Sequence, residues 1–561
     1  MTAGPAAGRE ATGALRDRPG AWAALAGCLL GVFMQMLDTT IVNIALPDLA
    51  RDLGASTSQQ LLVLTVYTLS FACTLLTAAT LGARVGRRRM FVVGMVAFTV
   101  TSVLCGVATG PAELIACRGI QGVSAALMSA QTLALIAALF DKRRHGLVFG
   151  VYGAVAGIAA ILGPVIGGFL VDADVLGWGW RAIFFVNVPL GLLSCLLAHR
   201  RLPDAREPSP GRVDVPGVVL SATALFLLLY PLALGRELGW PPILWGMIGT
   251  AGILLTLFAV HEVRVDARGG TPLLRPRLFA SRRFAVGLLL SLLFFSVFAG
   301  FFFTVSISAQ FGLGYSAFGT GMLALPFAIG AAVGSLASPR VVARITAPHT
   351  LLAGSVAVGA GFVWLAMIIE PAAETLPVLG ILGPLVLGGL GTGVFIAPLQ
   401  AVILSDTTEA TVGTATGTIP TVQQIGASIG LAVVTLFFFG QVAGQTSETV
   451  PAVRAELVAS LSESPVRPVL HGAVADRFAS CASDQLRSAH PERPAPACAG
   501  GPTSPAVAAV AAQARPWTQD AARSVTARTF LAALRTTLVM LGLVAVAIGA
   551  LAAALRTRRT P

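Results

Sequence analysis

Fourteen times between residues 21 and 555 the chain runs for roughly twenty residues or more with almost no charge. A helix rising about 1.5 Å per residue needs about 20 such residues to cross a bilayer's hydrocarbon core. Backbone groups in lipid must be satisfied internally, so runs of this length span as helices. A charged fraction of 11% against a hydrophobic fraction of 55% excludes an ordinary soluble domain, where about 25% of residues are charged. The expected fold class is an all-α integral membrane protein with the lipid bilayer as its main partner. The first run, residues 21–46, has no small-residue cleavage site and reads as a retained span, not a signal peptide.

The net charge of +12 raises the question of nucleic acid, and the placement of the charges answers it. Basic runs sit on alternate connections: Arg84/Arg87/Arg88/Arg89, Lys142/Arg143/Arg144, Arg200/Arg201/Arg206/Arg212, the arginines from 264 to 283, and Arg340/Arg344. The opposite short loops carry only Arg51, Arg181 and Arg236. This is the positive-inside pattern of membrane topology, and no nucleic-acid partner is expected. With an even span count, both termini fall on the cytoplasmic side of a cell membrane.

One acid breaks the first run. Asp38 lies about 13 Å from the Pro47 end of that run, inside hydrocarbon. A carboxylate there costs at least ~2.5–3.5 kcal/mol and implies a function and a partner.

The chain also repeats itself. ARVGRRRMFVVG at 83–94 resembles ARITAPHTLLAG at 343–354, an offset of 260. Gly122 and Gln131 recur as Gly391 and Gln400, and Gly150 and Gly163 as Gly417 and Gly430. Two six-span halves with two spans left between them follow, an arrangement suited to alternating access. The expected organisation is a cytoplasmic tail (1–20), a six-helix bundle (21–199), a linker with two extra spans (200–282), a second bundle (283–440 with 529–555), a long extracytoplasmic loop (441–528) and a short tail (556–561). Within the long loop, 451–463 and 505–514 read as short helices and 491–505 as irregular.

LDTTIVNIALP (37–47), WRAIFFVNVPLG (180–191), the RxxQG element at Arg118, Gln121 and Gly122, and GVYGAVAGIAAILGPVIGG (150–168) together carry a resemblance. The chain resembles the major facilitator superfamily, specifically its 14-span drug:proton antiporter family, from residue 21 to 440 and again in the last span. The resemblance implies a major facilitator fold of two pseudo-symmetric six-helix bundles and a monomer. The implied activity is proton-coupled export of small amphipathic or cationic drugs, with the proton gradient as energy source and no cofactor. It brings Asp38 near Arg118 for proton coupling, and gives Gly163, Pro164, Gly167 and Gly168 to a helix packed on the other half that helps prevent leak. Asn43, Gln121, Gln310 and Gln424 match family positions and become candidate cavity residues. Phe294, Phe298 and Phe301, which share one helix face with Phe302, read either as packing or as an aromatic wall for substrate.

The loop after the second span departs from the family. Arg84, Gly86, Arg87 and Arg88 remain, but the family's first glycine is Ala79 and its gate acid is Ala83. Asp406 or Glu409 is the candidate replacement.

Other features bear less. Cys481 and Cys498 share one polar loop and pair as a disulfide only if it faces an oxidising compartment. Cys28, Cys73, Cys105, Cys117 and Cys195 read as small hydrophobes. GASIG at 426–430 fits a nucleophile-elbow pattern but sits mid-span, where it reads as helix packing. The six histidines (145, 199, 261, 349, 471, 490) fall in loops or at span ends without metal-ligand spacing, so no metal is expected. There is no phosphate-binding loop for ATP and no catalytic cluster. Export of one endogenous metabolite is the alternative function, and a membrane sensor or enzyme the remote one.

Overall fold

The computed structural model describes residues 20–141, 143–174, 177–202, 214–408, 411–488, 495–499 and 505–552. Both expected tails are essentially outside this range, as are Lys142, Glu409 and His490. The described residues are helical, with no strand among them. The first half is α1 (Ala21–Leu53), α2 (Thr57–Val85), α3 (Arg87–Gly106), α4 (Pro111–Leu139), α5 (His145–Asp172) and α6 (Asn187–Arg201). Two further helices follow, α7 (Val215–Leu234) and α8 (Pro242–Ala267). The second half holds α9 (Arg282–Ile307), α10 (Ala317–Ile345), α11 (Ala347–Ile368), α12 (Val378–Ile403) and α13 (Val412–Ser460). After α14 (His471–Arg487), which is too polar to span, α15 (Pro505–Ala552) closes the chain. Among the described residues 13 helices are long and apolar enough to cross a membrane; α5, with 28 residues, is the fourteenth by length.

The halves match helix for helix. Within the first, α1 packs on α4, α5 and α6, α2 on α4, and α3 on α4 and α6. Within the second, α9 packs on α12, α13 and α15, α10 on α12, and α11 on α12 and α15. The close approaches repeat too. Gly122 on α4 lies against the Tyr67 carbonyl of α2, and Gly389 on α12 against the Phe327 carbonyl of α10. Tyr67 and Phe327 are 260 apart, the offset seen in the arginine loops. The spatial counterpart of Gly122 is therefore Gly389 and not Gly391, which packs on Gly354 of α11 instead. Small residues at these points let backbones touch, the usual cement between helices in lipid.

Four pairs join the halves, chiefly α5 with α10 and α2 with α13, and also α5 with α12 and α4 with α13. The extra helix α7 lies over the second of these seams, touching both α2 and α13, while α8 packs on α7 and is otherwise mostly outward-facing.

The expected loop at 441–528 is largely helical. Helix α13 continues for 49 residues, about 74 Å, and α15 begins at Pro505, well before the expected 529. The segments 451–463 and 505–514 are thus extensions of spanning helices. Val453 and Leu457 of α13, Ala475 of α14, and Ala514 and Val525 of α15 form a small apolar core of their own. Charged residues on the outer faces mask this periodicity in composition. Cys481 and Cys498 are bonded, with Cα atoms 4.7 Å apart, tying α14 to a helical turn at Pro496–Ala499 inside the stretch expected to be irregular.

Candidate functional site

Asp38 is wholly buried on α1, and Arg118 reaches it from α4. Arg118 Nη1 donates to Asp38 Oδ2 at 2.5 Å and to Gln121 Oε1 at 2.8 Å. Gln121 Nε2 donates to Asp38 Oδ1 at 3.1 Å. The Arg118–Gln121 spacing of three residues puts both on one face of α4, which is why RxxQG grips a carboxylate from two directions. Arg118 Nε donates to the Val63 carbonyl at 3.4 Å, and the guanidinium lies 4.2 Å from the centre of the Tyr67 ring. In a dry site such a pair survives only with its remaining polar atoms satisfied.

Asn187 completes the shell. Its Nδ2 donates to Asp38 Oδ1 at 3.3 Å and shares Ser102 Oγ at 3.0 Å. Ser102 in turn donates to the Phe184 carbonyl at 2.9 Å. Four helices thus converge on one carboxylate. Asn187, Ser102 and Tyr67 were absent from the candidate residues read in the sequence. The signal for Asn187 was present, since the chain has only two asparagines and each lies in a signature stretch.

Asn43 stays outside this network. It is exposed on α1, in line with the half-exposed Met36 and Thr39. That stripe is a side of α1 left partly uncovered close to Asp38.

The glycines of α5 divide their work. A Cβ on Gly163 would overlap the Thr40 hydroxyl, and one on Gly167 would sit 2.8 Å from Ile41 Cγ1. Both therefore face α1 in the same half. Gly168 looks across to Phe318 of α10, and Gly150 and Gly153 meet Ser335 of the same helix. Helix α5 lies against the other half, while within it Gly163 and Gly167 bring it onto the turn of α1 after Asp38 and Gly150, Gly153 and Gly168 form the seam with α10. The side chain of Pro164 is outside the described residues.

On the aromatic face of α9, Phe294 and Phe301 take the packing alternative. Phe294 stacks on Phe395 with centroids 4.3 Å apart, and Phe301 on Phe362 at 4.2 Å. Both are buried in the second half's packing, because α9 must cover α12 and the neighbouring helices. Phe298 is half-buried beside Phe302. Gln310 donates to Ser306 Oγ at 2.8 Å within its own turn. Gln424 lines a crevice of about 20 Å³ between α2, α7 and α13, too small for a drug. Gly426 and Gly430 lie against Leu292 and Ser296 of α9, as helix packing requires.

At the arginine-rich end, Gly86 takes a φ of 114° that separates α2 from α3. Arg84 Nη2 donates to Thr271 Oγ1 at 3.0 Å, Arg88 donates to the His199 carbonyl, and Arg87 is buried at the start of α3. Asp406 does not replace the gate acid. It accepts from Ser281 at 2.7 Å and from Arg283 at 3.1 Å, all within the second half. The Ser281 hydroxyl first, then Ser405 and the Arg283 charge, hold its carboxyl below the ordinary range. The contact across the halves at this end is Ala79 of α2, whose methyl fills the space a side chain on Gly417 of α13 would need. At the other end, hydrogen bonds from Arg181 at 2.6 Å and Trp180 at 3.0 Å to Asp52 fix α1 to the helical turn at Gly179–Arg181 that precedes α6.

Comparison with known proteins agrees with this geometry. The family model described as Major Facilitator Superfamily matches residues 28–431. A probable actinorhodin transporter of Streptomyces coelicolor is 37% identical over 430 residues, covering 76% of this chain and 74% of that protein. A puromycin resistance protein of Streptomyces alboniger is 35% identical, covering 77% and 84%. The crystal structure of a human organic anion transporter has the same fold, with a TM-score of 0.54 at 18% identity, covering 74% and 93%. The chain, a multi-pass membrane protein with two matched helical halves, belongs to the major facilitator superfamily.

Proposed function

We propose that the protein exports small amphipathic antibiotics or drugs in exchange for protons, by alternating access between its two halves. The observation that carries this reading is the Asp38–Arg118 pair, a carboxylate with no structural need to lie in lipid, held at 2.5 Å by an arginine of another helix. Protonating Asp38 removes its attraction for Arg118, so any state in which the two separate is favoured by a proton. Through Gly163 and Gly167, α5 rests on α1 beside Asp38 while its other face rests on α10. A shift at the pair is therefore one helix from the seam where the halves rock. A charge crossing the membrane potential gains about 2.3 kcal/mol per 100 mV, enough to bias such a cycle.

The stripe of Met36, Thr39 and Asn43, with Phe298 on the second half, is our candidate substrate face. The arginine-rich end and both termini are assigned to the cytoplasm of a cell-membrane monomer. The test is accumulation of a fluorescent amphipathic drug in a pump-deleted host. Expression should lower accumulation, and a protonophore should restore it; unchanged accumulation in both conditions rejects export.

A narrower reading, export of one endogenous metabolite, is favoured by the likeness to a probable actinorhodin transporter and to a puromycin resistance protein. A growth panel of unrelated toxic compounds separates the two, since protection confined to one chemical class supports the narrower reading.

A further inference from the structure

The extra hairpin of α7 and α8 carries a second polar cluster, at its arginine-rich end. Asp214 caps α7, its Oδ1 accepting from Gly217 N at 3.1 Å. His261 of α8 places Nε2 at 2.8 Å from Asp214 Oδ1 and 3.0 Å from Oδ2. Glu262, the next residue on α8, is 1% exposed. One of its oxygens, Oε2, accepts from Leu274 N at 2.9 Å. The other, Oε1, is buried without a hydrogen-bond partner. It points at Asp214: a Cβ on Gly217 would lie 2.7 Å from Glu262 Oε1 and would also overlap Asp214 Oδ2. A side chain at 217 would keep the two carboxylates apart, and glycine lets them converge.

We propose that Asp214, His261 and Glu262 bind a divalent transition-metal ion, with zinc as the simplest occupant. One ligand atom from each lies within 4.8 Å of the others. A tetrahedral zinc about 2.0–2.2 Å from each ligand separates them by about 3.4 Å, so small side-chain adjustments suffice. One imidazole and two carboxylates form the mixed nitrogen and oxygen set of open zinc sites. The fourth position falls to water, because the His261 side chain is 28% exposed and gives access from outside. A His–Asp hydrogen bond accounts for His261 and Asp214 and leaves the buried Glu262 Oε1 facing Asp214, where a shared proton or a cation is needed to spare it an unsatisfied contact.

The site also has a structural consequence. Glu262 holds Leu274, three residues beyond Thr271, which accepts from Arg84. An ion there ties the hairpin to the segment that the arginine loop grips.

The test uses the full-length chain, purified without a polyhistidine tag, stripped with a chelator and placed in nanodiscs. Cobalt(II) titration should give the visible absorption of a four-coordinate ion, saturating at one ion per chain at micromolar concentration. Zinc should displace that spectrum and raise the unfolding temperature. His261→Ala and Glu262→Gln, each checked for monodispersity, should lose the spectrum and the temperature shift, and either variant alone decides. No saturable spectrum in the wild-type protein, or equal binding by a folded variant, overturns the proposal.

Discussion

Gly163 of α5 touches Thr40 of α1, two residues beyond the carboxylate that Arg118 holds. The contact is close enough that no side chain fits between the helices. It places the bridge between the halves directly on the helix that carries Asp38, so packing and proton chemistry share one turn of α1.

Gly163→Ala should therefore cut efflux at least tenfold, because the added methyl must displace the Thr40 hydroxyl. Thr40→Ala in the same chain removes that hydroxyl and should restore much of the activity. Drug accumulation in cells reads both. Full activity in the single variant would show that the approach of α5 to α1 has no part in transport.

Ala79 and Gly417 hold the arginine-rich ends of α2 and α13 together. Paired cysteines at these positions, in a background lacking the five free cysteines, should cross-link under mild oxidation and stop efflux until reduced. A cross-linked protein that still exports would mean this seam does not open.

Asn187 donates to Asp38 and keeps a second atom, Oδ1, buried without a partner. Asn187→Ala should destabilise the protein by about 1–3 kcal/mol, seen as a lower unfolding temperature. It should also move the pH midpoint of transport, since one donor to the carboxylate is gone. A stability loss with an unmoved midpoint would leave Asn187 a purely structural residue.

Much of this was legible in the sequence, and the limits have physical causes. Apolar length alone located the spans, because lipid forces helices on such runs. The pairing of Asp38 with Arg118 followed from two buried charges in family-matched positions. The side that Gly163 faces did not follow, because the signature names small residues without saying which neighbour they meet. The sequence left Phe294 and Phe301 open between packing and substrate contact for a similar reason: a helical stripe of rings looks the same whether a ligand or Phe395 and Phe362 cover it. The extensions of α13 and α15 beyond their spans were hidden by their charged outer faces. Asp214 and His261, 47 residues apart, meet only once α7 and α8 pair.

The Cys481–Cys498 bond closes a loop with a sequence separation of 17, worth about 3 kcal/mol by chain-entropy arguments. Cys481→Ser with Cys498→Ser should make the lobe of α13, α14 and α15 several times more susceptible to limited proteolysis while leaving efflux near wild type. Loss of efflux would give the lobe a part in transport.

Asp38 is the centre of the account, and reconstituted protein tests it directly. In proteoliposomes with an imposed pH gradient, addition of a transported drug should release protons through the wild-type protein. Asp38→Asn, which keeps the shape and hydrogen bonds to Gln121 and Asn187, should still bind the drug but show no drug-driven proton movement. Proton exchange at the wild-type rate in folded Asp38→Asn protein would contradict the central claim.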